Sequence, residues 1–215
     1  MGLALDSVGM WDATAGLPEQ VAEASSSCVI EHADRLPAHD DIENVVVLGM
    51  GGSGIAGDIL LAAAGPFMAV PAVVLKSYTL PAFVTDTSLV IAVSYSGNTE
   101  ETVEAASEAI AAGAQLCVVS GDGELRRLAE AAGAPHVAVL PGFAMPRAAI
   151  GAIAIPPLHI LESVGLFPGA QSWIDNAVAQ LRRRRDQLVG DKSPARDLAR
   201  RIGGTIPLVH SSGGM

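Results

Sequence analysis

The feature that most constrains this chain is a repeated unit: a short apolar run rich in β-branched residues, a turn, and then a stretch with helical periodicity. The runs fall at 45–49, 72–75, 89–93, 115–119 and 137–140. Each is too short and too uniformly apolar for a strand with one wet face, and fits a strand covered on both sides. Helical patterns at 55–64, 100–112 and 124–132 separate them. Strands alternating with helices over short connections predict parallel strands joined by right-handed crossovers. The expected fold class is therefore α/β, a doubly wound parallel sheet flanked by helices, spanning residues 41–165.

The flanks read differently. Residues 1–40 form an N-terminal helical segment with a helical pattern over 17–33, and residues 166–215 carry connecting helices. An Ala/Ile-rich helix after Pro146 is expected to kink or end at Pro156-Pro157. An amphipathic helix covers 171–188, a short helix follows Pro194, and 205–210 reads as a further strand closed by Ser211-Ser-Gly-Gly214. That strand and turn repeat the grammar of the 45–54 segment, an apolar run followed by a Gly/Ser turn, without a helix after them, as if a second domain began there and stopped.

Composition narrows the function classes. The 215 residues carry a formal net charge of −10, and only 17% of them are charged. An acidic chain lacks the basic surface that nucleic acid and anionic lipid require. Its one basic run, Arg182-Arg-Arg-Arg185, lies on the 171–188 helix and reads as a solvated or pairing face. An uncharged stretch at 59–75 approaches a membrane span, but Gly65-Pro66 and Pro71 interrupt it. Neither a secretory signal nor a full myristoylation motif is legible at the N-terminus, where Asp6 stands in place of the needed Ser or Thr. Cys28 and Cys117 lack metal-type spacing and read as reduced thiols of a cytoplasmic protein, Cys117 within a buried run.

An acidic chain that binds an anion must do so with local donors, and two loops offer them. In Gly49-Met-Gly-Gly-Ser-Gly54 the glycines let the backbone turn out of the strand, so that N–H groups at the next helix start face a phosphate and Ser53 adds a hydroxyl. The same glycine spacing fits a dinucleotide site. Such a site needs an acidic residue at the end of the second strand, where Lys76-Ser77 stands instead; this lowers the NAD reading and leaves NADP open. Ser94-Tyr-Ser-Gly-Asn-Thr99 places three hydroxyls at the end of the third strand, and the carboxyl ends of parallel strands share one edge. Ser94, Ser96 and Thr99 can donate to phosphate oxygens, whereas helix capping alone explains Thr99 but not the two serines. Arg147, after Pro146, reads either as an early helix residue paired with a surface carboxylate or as an anion-stabilising cation. His159 and His210 read as packed histidines.

The strings Gly49-Met-Gly-Gly-Ser53, Ser77-Tyr-Thr-Leu-Pro81, Ser94-Tyr-Ser-Gly-Asn-Thr-Glu-Glu-Thr102 and Pro146-Arg-Ala-Ala149, in this order, resemble the bifunctional phosphoglucose/phosphomannose isomerases, which are built from two sugar isomerase (SIS) domains. The resemblance implies a SIS fold and a cytoplasmic, homodimeric enzyme. It also implies interconversion of glucose 6-phosphate or mannose 6-phosphate with fructose 6-phosphate through an enediolate, without metal or nucleotide cofactor. By the same resemblance Gly52, Ser53, Ser94, Ser96 and Thr99 hold the phosphate and Arg147 lies over the reacting carbons, while the general base falls after residue 215. The chain alone is then expected to be inactive. A non-catalytic, sugar-phosphate-binding regulatory SIS module is the alternative.

Overall fold

The computed structural model describes residues 6–190 and 192–210. Its centre is a five-stranded, all-parallel sheet in the order β2-β1-β3-β4-β5. The strands are β1 (Asn44–Leu48), β2 (Ala72–Leu75), β3 (Ser88–Ser94), β4 (Gln115–Ser120) and β5 (His136–Ala138). Each arises at one of the apolar runs, and β1, β3 and β4 are buried nearly end to end.

Alternation divides the strand side chains between two cores. Val45, Val47, Leu89, Ile91, Val93, Cys117 and Val119 face one side, with α3 (Gly51–Ala64), α6 (Ile150–Ser163), α7 (Ala170–Leu188) and α2 (Leu17–Ser26). Val46, Leu48, Val90, Ala92, Leu116 and Val118 face the other, with α4 (Glu100–Ala111) and α5 (Glu124–Ala132). Buried Ala105, Ala106 and Ala109 let α4 lie close to the strands. Two short helices, α1 (Met10–Ala15) and α8 (Pro194–Ile202), lie near the two ends of the described chain. The first core takes in Val21 and Ala24 from α2 and Ile174 and Val178 from α7, so the flanks share the packing of the sheet.

Several local expectations change. The helical pattern over 17–33 stops at Ser26, where the Ser26 and Ser27 hydroxyls both donate to Glu23 O and compete with the backbone for the last turn. The chain then joins the sheet edge, with Glu31 and His136 exchanging backbone hydrogen bonds of 2.8 and 3.2 Å. Helix α6 runs through Pro156 and Pro157 without ending. Two interior prolines remove two N–H donors, at about 3 kcal/mol for a typical interior proline. Buried Ile153, Ile155, Leu158, Ile160 and Leu161 offset that, at about 1.5–3 kcal/mol per side chain removed from water. Residues 205–210 pair with no strand among the described residues, and Ile206, Leu208, Val209 and His210 are exposed. A β-rich stretch needs a neighbour to become a strand, and His210 accordingly is not packed. Ser211 to Gly214 lie outside the described residues.

The apolar 59–75 stretch resolves as the end of α3, a 3-10 turn and β2, and among the described residues no helix is long and apolar enough to cross a membrane. Arg182 and Arg185 of the basic run pair with Glu19 on α2. Burial pushes the Cys117 thiol up to about 12 and the Cys28 thiol up to about 11. Both stay protonated near neutrality, so iodoacetamide is expected to leave the native protein unlabelled at about pH 8 and to modify both thiols only after unfolding. Rapid labelling of the folded chain would contradict the burial.

Candidate functional site: a crevice between β1 and β3

From β1 the chain crosses to β2 on one side, and from β3 it proceeds to β4 on the other. The two strands are neighbours, so the connections diverge at their carboxyl ends and leave a crevice, the usual ligand position in an open parallel sheet. Both candidate loops leave the sheet at this place.

Helix α3 begins at Gly51, four residues before the sequence pattern places it, so the glycine segment is the first helical turn rather than a loop ahead of it. Its N-cap is Met50, whose side chain caps nothing, and the first turn holds no acidic residue. The orphan N–H groups and the positive end of a 14-residue helix therefore face the crevice uncompensated. Ser53 is buried, and its Oγ accepts from Tyr95 N at 3.1 Å. That bond ties the first loop to the second and leaves the Ser53 hydrogen available for donation.

In the second loop, buried Ser94 accepts from Gly97 N at 3.1 Å and lies 2.9 Å from Thr99 Oγ1. Thr99 is the N-cap of α4 by position, yet its side chain makes no cap bond. Capping therefore does not account for its hydroxyl, which joins Ser94 instead. Ser96 is exposed, and its Oγ accepts from Asn98 N at 3.2 Å. Asn98 turns away from the crevice: its Oδ1 accepts from Glu124 N at 3.1 Å while Gly97 O accepts from Leu125 N at 2.8 Å, which together cap α5. Gly97, at φ 71, makes this back-to-back approach possible.

Arg147 sits in the 3-10 turn Pro146–Ala148, and this turn lies against the start of α3. A Cβ on Gly52 would stand 3.0 Å from both Arg147 N and Pro146 C. The Arg147 side chain is exposed, and among the described residues it has no ion-pair partner, so the surface-pair explanation for this residue does not hold. Gly52, Ser53, Ser94, Ser96, Thr99 and Arg147 thus come from three separate segments to one end of the sheet. Lys76 does not join them as a free cation, since its Nζ lies 2.6 Å from Asp58 Oδ2.

Sequence reasoning passed over Tyr95. Its hydroxyl donates to Phe143 O and accepts from Phe143 N, both at 2.9 Å, linking the second loop to the segment that leads to Arg147. Its place between Ser94 and Ser96 was the available signal.

The surrounding electrostatics are uneven. Tyr78 has its pKa raised, by desolvation first and then by the charges of Glu101, Glu100 and Glu104. Those carboxylates act on the Tyr78 loop. Farther along the edge, buried Ser120 and His136 lie 3.1 Å apart, Oγ to Nε2, with His136 Nδ1 3.4 Å from Glu31 Oε2 but not in hydrogen-bond geometry. Burial first, then Arg126, lowers the His136 pKa, against the opposing effect of Glu31. Neither side chain reaches solvent, so this serine–histidine–carboxylate order is not a nucleophilic site.

No protein-family profile matches the chain. It is 33% identical over 209 residues to the bifunctional phosphoglucose/phosphomannose isomerase of Caldicellulosiruptor bescii, covering 95% of this chain and 61% of that protein. It is 42% identical over 133 residues to the protein of the same name from Thermoplasma acidophilum, covering 58% and 40%. The chain thus spans less than two thirds of either relative. Among solved structures, the putative phosphosugar isomerase from Silicibacter pomeroyi superposes with a TM-score of 0.66 at 19% identity, covering 92% of this chain and 61% of that one.

Proposed function

From the premise that this chain belongs to the bifunctional phosphoglucose/phosphomannose isomerase family of SIS-domain proteins, we propose that it holds a hexose 6-phosphate in the crevice between β1 and β3 and serves aldose–ketose isomerisation. One observation carries the reading: an uncapped, acid-free helix start, the Ser94–Thr99 hydroxyl pair and an Arg147 without an ion-pair partner among the described residues lie together at the carboxyl ends of β1 and β3.

The phosphate would be held by donors alone, from the N–H groups at the start of α3 and the hydroxyls of Ser53, Ser94, Ser96 and Thr99. That set reads the phosphate and is indifferent to the sugar. Interconversion of glucose 6-phosphate or mannose 6-phosphate with fructose 6-phosphate then requires a base to take the proton from C2 and return it to C1. As the proton leaves, negative charge develops on the C1 oxygen of the enediolate. Arg147 over these carbons supplies a fixed positive charge where that charge appears. We place the base outside this cradle, because Glu100 and Glu101 open α4 beside the Tyr78 loop and their charges act there.

Calorimetry tests the reading. Fructose 6-phosphate is expected to bind the chain more tightly than inorganic phosphate, and Arg147→Ala is expected to erase about a tenfold advantage while leaving inorganic phosphate unchanged. No turnover is expected from residues 1–215 alone. Equal affinity for the two ligands in the unaltered chain would defeat the sugar assignment, and measurable turnover would defeat the placement of the base.

A further inference from the structure

Arg147 lies on an exposed 3-10 turn, yet its backbone is held from inside the protein. The residue that holds it is Gln20, in the first half of α2 and only 5% exposed. Gln20 Nε2 donates to Ala148 O at 2.9 Å, while Oε1 accepts from Gly151 N at 2.5 Å and from Ala152 N at 3.3 Å. These three bonds join residues about 130 positions apart in the chain and meet where the Arg147 turn passes into α6.

The recipient end needs such a partner. Helix α6 is capped at Ala149, which has no side-chain acceptor, and buried Ala148, Ala149, Gly151 and Ala152 shut out water. Unpaired N–H groups there would cost about 1–3 kcal/mol each. The fit is reciprocal: a Cβ on Gly151 would stand 2.8 Å from Gln20 Oε1, so the glycine makes room for the amide. Leucine would pack the same interior without needing partners, as its neighbours Val21, Ile153 and Ala154 do. An amide in that place gives direction instead of bulk.

We infer that Gln20 is a positioning residue for Arg147. It fixes the carbonyl that follows Arg147 and the start of α6, while Gly52 of α3 bears on the other side of the turn, so the guanidinium is aimed at the crevice between two fixed surfaces. This rests on the reading of Arg147 as the cation that touches the sugar. Gln20 itself touches no ligand.

Two variants and two readouts test it. Gln20→Leu keeps the volume and removes the bonds; Gly151→Ala leaves Gln20 in place and pushes its carbonyl aside. Hydrogen exchange across 146–152 is expected to quicken about tenfold or more in both, with the strands unaffected. Fructose 6-phosphate affinity is expected to fall about tenfold in both while inorganic phosphate affinity holds, and Gln20→Leu combined with Arg147→Ala is expected to be no weaker than Arg147→Ala alone. A purely structural tie would lower the melting temperature and both affinities together, or neither, and that result overturns the inference. Unchanged exchange at 146–152 overturns it whether or not a sugar phosphate binds. Quickened exchange in a chain that never prefers fructose 6-phosphate to inorganic phosphate upholds the clamp and overturns the sugar reading.

Discussion

Gly97→Ala is expected to lower stability by about 3 kcal/mol, or about 6–12 °C in melting temperature for a chain of this size, and to abolish binding of fructose 6-phosphate and of inorganic phosphate. The glycine has φ 71, and an alanine there costs about 1 kcal/mol from backbone conformation alone. The larger part comes from contact. The new methyl would stand 2.4 Å from Asp122 O and 3.0 Å from Asp122 C, both backbone atoms that cannot rotate away. Relief requires the second loop to part from the start of α5, which breaks the Leu125 N–Gly97 O bond and displaces the Ser94–Gly97–Thr99 group. Gly113 is the control: it has φ 81, and its Cβ would meet only Asp86 Cβ at 3.7 Å, so Gly113→Ala should cost the backbone share alone. Equal melting temperatures for the two variants would show that the close approach carries no weight.

Gly52→Ala should behave in the opposite way, leaving stability nearly unchanged while fructose 6-phosphate affinity falls by about tenfold. Alanine gains up to about 1 kcal/mol over glycine within a helix. Against that gain, its methyl would lie 3.0 Å from Arg147 N, Pro146 C and Pro146 Cβ, so the turn bearing Arg147 must withdraw. The two effects nearly cancel in the melting temperature. They do not cancel in binding, because the displaced turn is the one proposed to face the sugar. Affinity for fructose 6-phosphate equal to that of the unaltered chain would remove Gly52 from the cradle. Read together, the two variants separate a glycine that keeps the loops assembled from one that keeps the arginine near.

Most of the sheet was legible because its signal is local. A run such as Val45-Val-Val-Leu48 has no polar side chain to offer a surface, and it and its four counterparts place every strand to within a few residues. The hydroxyl loop was legible for the same reason, since Ser94, Ser96 and Thr99 are adjacent in sequence and cannot be dispersed by folding. Where local signals compete, the outcome was set elsewhere. Pro156-Pro157 predicts a kink or an end, and the buried face of α6 keeps the helix from ending there. The 205–210 stretch has strand composition, but it lies beside no strand in the described chain. The glycines of 51–54 are poor helix formers, but α3 starts among them, and a Cβ on Gly54 would stand 2.8 Å from Gly49 O.

The sequence by itself therefore determined a parallel α/β sheet with phosphate-type donors at its carboxyl edge, and its resemblance to phosphosugar isomerases rests on those same loops. Three matters waited for the tertiary structure: which hydroxyls are not taken up in caps, where the Arg147 turn lies, and which buried side chain holds it. Thr99 could have capped α4, and only the position of Ser94 shows that it does not. Tyr95 and Gln20 looked unremarkable in sequence because their partners, Phe143 and Ala148 to Ala152, lie about 50 and 130 residues away. Hydrophobic periodicity reports which face of an element is buried. A hydrogen bond depends on an angle and a few tenths of an ångström, and no spacing within one strand or helix records those across the fold.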